Sequence, residues 1–292
     1  MYSVEPANTQ ADTYVLTDGT ARSRAEVVPS RGGILTRWQV GDRDVLYFDA
    51  ERFADPSLSV RGGIPILFPI CGNLPGDRYT LADGRSFPLK QHGFARDLPW
   101  TVGDRATTDA ASLTLILESC DRTRAVYPFN FTLEFTYRLW GNSLEIRQRY
   151  HNRSDEPMPF STGLHPYFNV ADKTQLRLDF PATEYLDQKS GDRHPFSGSL
   201  DYDRAELDLA FLNPQRAAAA VSHRDRRDRL ELTWDDTLYG TLVFWTLNGK
   251  AYYCLEPWSA GRNALNTGEH LQTLAPGASL NTWVRLAIAP EP

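Results

Sequence analysis

Strict alternation over nine residues is the feature that most restricts this chain. Phe131, Leu133, Phe135, Tyr137 and Leu139 interleave with Thr132, Glu134, Thr136 and Arg138. A period of two sends the aromatic set to one face and the polar set to the other, which is the signature of a half-buried strand and incompatible with a helix. Gly141-Asn142 is a turn signal, and residues 144–150 alternate again with Glu145, Arg147 and Arg149 outward. The two runs are therefore expected to pair as an antiparallel hairpin, with residues 140–143 as its loop.

Short apolar runs of the same kind recur at residues 34–40, 45–48, 113–117, 176–180, 230–234, 242–245, 252–255 and 280–288. Helical spacing is scarce, the best short candidate being residues 205–211, and 19 prolines with 20 glycines punctuate the remainder. Many short strands without alternating helices predict an all-β sandwich or barrel rather than a doubly wound sheet. No linker-like stretch interrupts the pattern. The most biased segment, RDRRDR at residues 224–229, mixes both charge signs and reads as a solvated hairpin tip. A single domain over residues 1–292 is expected.

Lys+Arg number 31 against 37 Asp+Glu, a net charge of −6. That balance gives no general attraction to phosphate backbones or anionic lipid, so neither nucleic acid nor membrane is an expected partner. The first 20 residues carry Glu5, Asp12 and Asp18 and lack the basic start and apolar stretch of a secretory signal. Cys71, Cys120 and Cys254 are too few and too scattered for a disulfide framework and form no C-x-x-C pair. Their apolar flanks predict buried, reduced thiols, and a cytoplasmic location is the matching expectation.

Four segments depart from ordinary strand and turn chemistry. Arg61-Gly62-Gly63-Ile64-Pro65 suits a rigid loop whose backbone lies close to a neighbour, or a Gly-Gly turn feeding a buried edge segment. It matches neither the dinucleotide nor the P-loop glycine pattern. Gln91-His92-Gly93-Phe94-Ala95-Arg96 sets an imidazole and a guanidinium four residues apart, able to hold a polyol or an anion, or simply a structural histidine. In Gly163-Leu164-His165-Pro166-Tyr167-Phe168 the proline biases His165 toward an extended backbone. A proton donor needs such a fixed reach, although a partly buried histidine bonded to a main-chain carbonyl fits the segment equally. Residues 252–258 end an apolar strand at Glu256, with Pro257 expected to stop the pairing and Trp258 following. Apolar surroundings would raise the proton affinity of Glu256 toward that of a general base; a solvent-facing carboxylate at a strand end is the alternative. Residues 259–268 add Arg262, Asn263 and Asn266 in a turn-rich loop, for substrate contact or for capping.

Taken together and in this order, R-G-G-I-P at Arg61, Q-H-G-F-A-R at Gln91, G-L-H-P-Y-F at Gly163 and L-E-P-W at Leu255 resemble the aldose 1-epimerase (galactose mutarotase-like) superfamily. Within it, the chain looks more like the hexose-6-phosphate mutarotase branch than like classical galactose mutarotase. The resemblance implies a large twisted antiparallel β-sandwich with a sugar site in a concave sheet face, no cofactor and no metal. It implies His165 as general acid and Glu256 as general base. Arg61, Gln91, His92 and Arg96 match positions that bind the sugar or its phosphate, and Asp208 matches an acidic substrate-binding residue. The implied partner is a small-molecule sugar or sugar phosphate, and the implied assembly is a monomer or weak homodimer.

On that resemblance, Glu256 removes the anomeric hydroxyl proton while His165, as imidazolium on the opposite side, protonates the ring oxygen, with a bell-shaped pH profile near neutrality. Arg61 and Arg96 converging without a carboxylate would suit a phosphate; Asp208 pairing one of them would suit neutral hydroxyls. Two other readings are a glycosidase using Glu256 with Asp208, which needs carboxylates about 5–9.5 Å apart, and a non-catalytic carbohydrate-binding or sugar-sensing module.

Overall fold

The computed structural model describes residues 1–8 and 12–290. The predicted hairpin forms between Phe131–Trp140 and Ser143–Asn152, with Trp140 opposite Ser143. The loop is thus the two residues Gly141-Asn142, where Gly141 takes φ +53° and donates its N–H to Asp18 Oδ2 at 2.8 Å. Phe131, Leu133, Phe135, Tyr137 and Leu139 are all fully buried, as the alternation requires.

This hairpin lies inside an eight-stranded antiparallel sheet. Its order is Leu176–Asp179, Ala218–His223, Asp228–Trp234, Ser279–Pro290, Ser143–Asn152, Phe131–Trp140, Ala111–Glu118 and Thr101–Ala106. A second sheet runs Arg193–Pro195, Glu184–Asp187, Glu206–Leu212, Thr241–Leu247, Tyr252–Trp258, Gly163–Leu164 and Ile66–Leu67, with Tyr167–Asn169 also paired to Tyr252–Trp258. The first five strands, Tyr2–Asn8 to Arg43–Asp44, form a sequential meander. One core cluster joins side chains of all three, including Trp38, Phe135, Tyr150, Phe211 and Tyr253. The fold is a large twisted antiparallel β-sandwich, because sheets with one apolar face must bury it against another.

Several expectations need correction. Residues 205–211 are not helical: Glu206–Leu212 is a central strand. Leu207, Leu209 and Phe211 enter the main core while Asp208 and Ala210 face the other way and are also buried, so cover on both faces hides the period of two. Pairing does not stop at Pro257, which opposes Leu242 within a strand that continues to Trp258. Residues 45–48 make only isolated bridges beyond Arg43–Asp44. Cys71 and Cys254 are buried, but Cys120 is exposed at the start of the short helix Asp121–Arg124, where apolar neighbours in sequence do not enforce burial.

The 224–229 segment is a hairpin tip, yet part of it turns inward. Arg226 donates to the Asn169 carbonyl at 3.2 Å. Asp228 pairs with Arg43 from the meander and meets His223 Nδ1 at 3.0 Å, while Tyr253 Oη of the second sheet contacts His223 Nε2 at 3.2 Å. This chain of polar groups ties three sheets together. The Arg43–Asp228 pair is partly buried, with side chains 18% and 14% exposed, so losing it costs less than losing a fully buried pair. Asp228→Asn is expected to lower unfolding stability by about 1.5–3 kcal/mol in a urea titration, whereas Asp42→Asn, which breaks the exposed Arg22 pair, leaves the midpoint unchanged within error.

Candidate active site

Glycines let the four motif segments meet. At Gly62, φ is +127°, and a Cβ would lie 2.5 Å from Phe48 Cα; at Gly63 it would lie 2.4 Å from the Leu35 carbonyl. Only residues without side chains allow this approach, which seats Arg61 at the cavity wall. The next residues run against the histidine segment, with Tyr167 N–H donating to Gly63 O at 2.9 Å and His165 N–H to Pro65 O at 3.0 Å. Ile66–Leu67 pairs with Gly163–Leu164, and Gly163 in turn pairs with Trp258. The 91–96 segment wedges onto Phe68, whose carbonyl accepts from Phe94 N–H at 3.0 Å.

His165 and Glu256 are brought into contact, Nε2 to Oε1 at 3.4 Å. Both are buried, at 8% and 1% exposure. They lie side by side, not on opposite sides of a ring-sized gap. The Trp258 indole N–H donates to Glu256 Oε2 at 3.1 Å. Since Oε2 is thereby an acceptor, a proton on this carboxyl belongs on Oε1, facing the imidazole. Burial, with Arg96 nearby, pushes His165 down to about 3. Burial, reinforced by Asp208, lifts Glu256 well above the usual carboxyl range. Both directions favour one shared proton and no net charge, rather than an imidazolium beside a carboxylate in the empty cavity.

His92 occupies a strained left-handed backbone at φ +65°. Its Nδ1 accepts the Gly72 N–H at 3.1 Å, which fixes the neutral tautomer with the proton on Nε2. Burial, with Arg96 and His165 beside it, drives its proton affinity well down. The ring stands 5.4 Å from that of His165, edge to face.

These groups line a cavity of about 390 Å³ together with Arg61, Gln91, Arg96, Asp208 and Arg262, whereas Asn263 and Asn266 of the Arg262 loop are not among its lining residues and Asn266 instead caps the Thr80 N–H. Asp208 does not pair either of the two expected arginines. Arg262 donates to its Oδ2 at 2.5 Å and Gln188 to its Oδ1 at 2.7 Å. Among the described residues, no carboxylate lies within ion-pair distance of Arg61 or Arg96. Arg61 stacks its guanidinium 5.3 Å from the Trp245 ring centroid, and Arg96 donates to the Gln91 carbonyl at 2.9 Å. A larger, shallow trough of about 510 Å³ on the outer face of the first eight-stranded sheet is lined by Glu145 and its arginines and contains no acid–base pair.

Sequence reasoning missed Trp245, Tyr167 as a wall, and the Lys189–Glu206 pair at 2.5 Å, which the Trp245 indole N–H joins at 2.8 Å. Asp208, Glu206 and Trp245 come from adjacent paired strands, Asp208 directly opposite Trp245. The signal for them is cross-strand register, which no local motif encodes.

The aldose 1-epimerase family model matches residues 12–287. The crystal structure of Slr1438 from Synechocystis sp. PCC 6803 is 50% identical, with a TM-score of 0.94 over 100% of both chains. A galactose mutarotase-like protein from Clostridium acetobutylicum shares the fold at 18% identity, with a TM-score of 0.82 over 99% of this chain and 98% of that one. An Escherichia coli K12 protein, named as a candidate glucose-6-phosphate 1-epimerase, is 27% identical over 188 residues, which are 63% of this chain and 59% of its own. With the fold, the cavity and a family match across nearly its whole length, this chain belongs to the aldose 1-epimerase family of isomerases.

Proposed function

We propose that the protein, acting as one unit over residues 1–292, interconverts the α and β anomers of an aldohexose 6-phosphate, with His165 as acid and Glu256 as base. The observation that carries the chemistry is the 3.4 Å contact between these two buried groups. O1 and O5 of a cyclic sugar are bonded to the same anomeric carbon, so adjacent acid and base groups are what ring opening requires. On binding, the shared proton passes to His165. Glu256 then takes the proton from O1, the C1–O5 bond breaks, and His165 protonates O5, leaving an open-chain aldehyde. After rotation about C1–C2, O5 attacks the other face of the carbonyl, returning its proton to His165 while Glu256 gives one to O1. His92, held neutral, supplies an N–H to a sugar oxygen, with Gln91 and Asp208 holding hydroxyls.

The phosphate reading rests on Arg61 and Arg96. Two guanidinium groups in one cavity without a carboxylate partner match a dianion in geometry and charge. Asp208, ion-paired with Arg262 and accepting from the Gln188 amide, does not engage Arg61 or Arg96. The same engagement weighs against Asp208 as a second glycosidase carboxylate. The E. coli relative's name agrees with a phosphorylated hexose.

Three outcomes follow for the rate of approach to anomeric equilibrium from fresh α-glucose 6-phosphate, followed by polarimetry. Glu256→Gln and His165→Asn each lower kcat by about 10²- to 10⁴-fold, with binding of the sugar phosphate largely kept. Arg61→Met raises KM for the phosphate ester by about tenfold or more, with a much smaller effect on free glucose; equal effects on both substrates would remove the phosphate assignment. The pH profile also differs from a narrow bell near neutrality. His165 takes up its own proton only at about 3, and Glu256 gives up the shared one only well above the usual carboxyl range, so with free glucose, which carries no titrating phosphate, kcat/KM should not fall between pH 7 and about pH 5. A sharp fall over that interval with free glucose would contradict this.

A further inference from the structure

One buried nucleophile at the site has no part in the reaction above. Cys254 precedes Glu256 by two residues on the strand Tyr252–Trp258, so both side chains project from the same face. A ring nitrogen of His165, the Cys254 sulfur and a carboxylate oxygen of Glu256 all lie within 4.8 Å of one another. The three residues are 8%, 0% and 1% exposed.

We propose that these three side chains form an inhibitory site for a single thiophilic divalent cation of the zinc class, whose occupation closes the cavity to sugar. The donor set is one imidazole, one thiolate and one carboxylate; His165 and Glu256 line the cavity, with Cys254 buried behind them, so the cavity side would be the open fourth position of a three-ligand zinc site. Tetrahedral zinc with bonds of about 2.0–2.3 Å needs its ligand atoms roughly 3.3–3.8 Å apart. The His165–Glu256 contact of 3.4 Å meets that already, and the Cys254 sulfur belongs to the same cluster of ligand atoms within 4.8 Å, inside the reach of side-chain rotation. Charge favours the complex: a thiolate and a carboxylate neutralise a divalent ion where an unbalanced charge would be costly. Binding releases two protons to solvent, one from the Cys254 thiol and one shared by His165 and Glu256, and forms three metal–ligand bonds. Hard cations are excluded, since magnesium and calcium need six or more oxygen ligands and Arg61 and Arg96 repel a cation that gains no bond to sulfur.

The test uses the full chain with exposed Cys120 changed to Ser, titrated with cadmium ion while the thiolate-to-metal charge-transfer absorption is recorded. One equivalent is expected to bind with that band, and glucose 6-phosphate is expected to weaken it by competition. Cys254→Ser and His165→Asn should each abolish the band or weaken binding by about 100-fold, since even outer-shell changes at metal sites cost 10- to 100-fold. Cys254→Ala and a circular dichroism spectrum cover the case in which the serine variant fails to fold. No band in the Cys120→Ser protein, or a band that survives removal of Cys254, would overturn the proposal. This readout needs no turnover, so its failure is separable from failure of the proposed reaction.

Discussion

The site depends on a close backbone approach at Gly163. A Cβ there would fall 2.8 Å from the Pro257 carbonyl and 2.8 Å from the Trp258 ring, so any larger residue would push the strand carrying Glu256 away from the segment carrying His165. With that contact made, two titratable side chains are buried against each other, and burial alone disfavours a charge on either. The shared proton and the Trp258 hydrogen bond to the outer carboxyl oxygen follow from it. The left-handed His92 backbone on the facing segment is held the same way, since Gly93 lies against the Phe68 carbonyl where a Cβ would stand 2.2 Å away.

Around this neutral pair the charges are sorted by pairing. Asp208 is matched by Arg262 and Glu206 by Lys189, while Glu256 faces the His165 imidazole, where burial favours a protonated carboxyl. Arg61 and Arg96 are left over, one braced on Trp245 and the other on the Gln91 carbonyl. Neither has a carboxylate partner among the described residues, and on the proposed reading the phosphate would meet donors already braced in place, so less conformational entropy would be lost on binding.

The all-β class was readable because Phe131 to Leu139 face a single core, so that alternation survived in the sequence. It was unreadable at residues 205–211, where both strand faces are covered. His165, Glu256 and the glycine-flanked Arg61 and His92 stood out because each sits in a local segment whose proline or glycine marks an unusual backbone, but each segment alone also fitted a plain structural part, and only the four together, through the family resemblance, pointed to one site. Trp245 and Lys189 were not, since their place at the cavity comes from register between strands distant in sequence. The inward turn of Arg226 and Asp228 was hidden for the same reason: their partners, Asn169 and Arg43, are 57 and 185 residues away.

The claim most exposed to test is that the reaction breaks C1–O5 and leaves C1–O1 intact. Glucose 6-phosphate labelled with oxygen-18 at O1 can be followed by carbon NMR while the enzyme exchanges its anomers. Retention of the label through many interconversions is the predicted result. Loss of the label to water in step with interconversion would mean that C1–O1 is cleaved, and the roles given to His165 and Glu256 would be wrong.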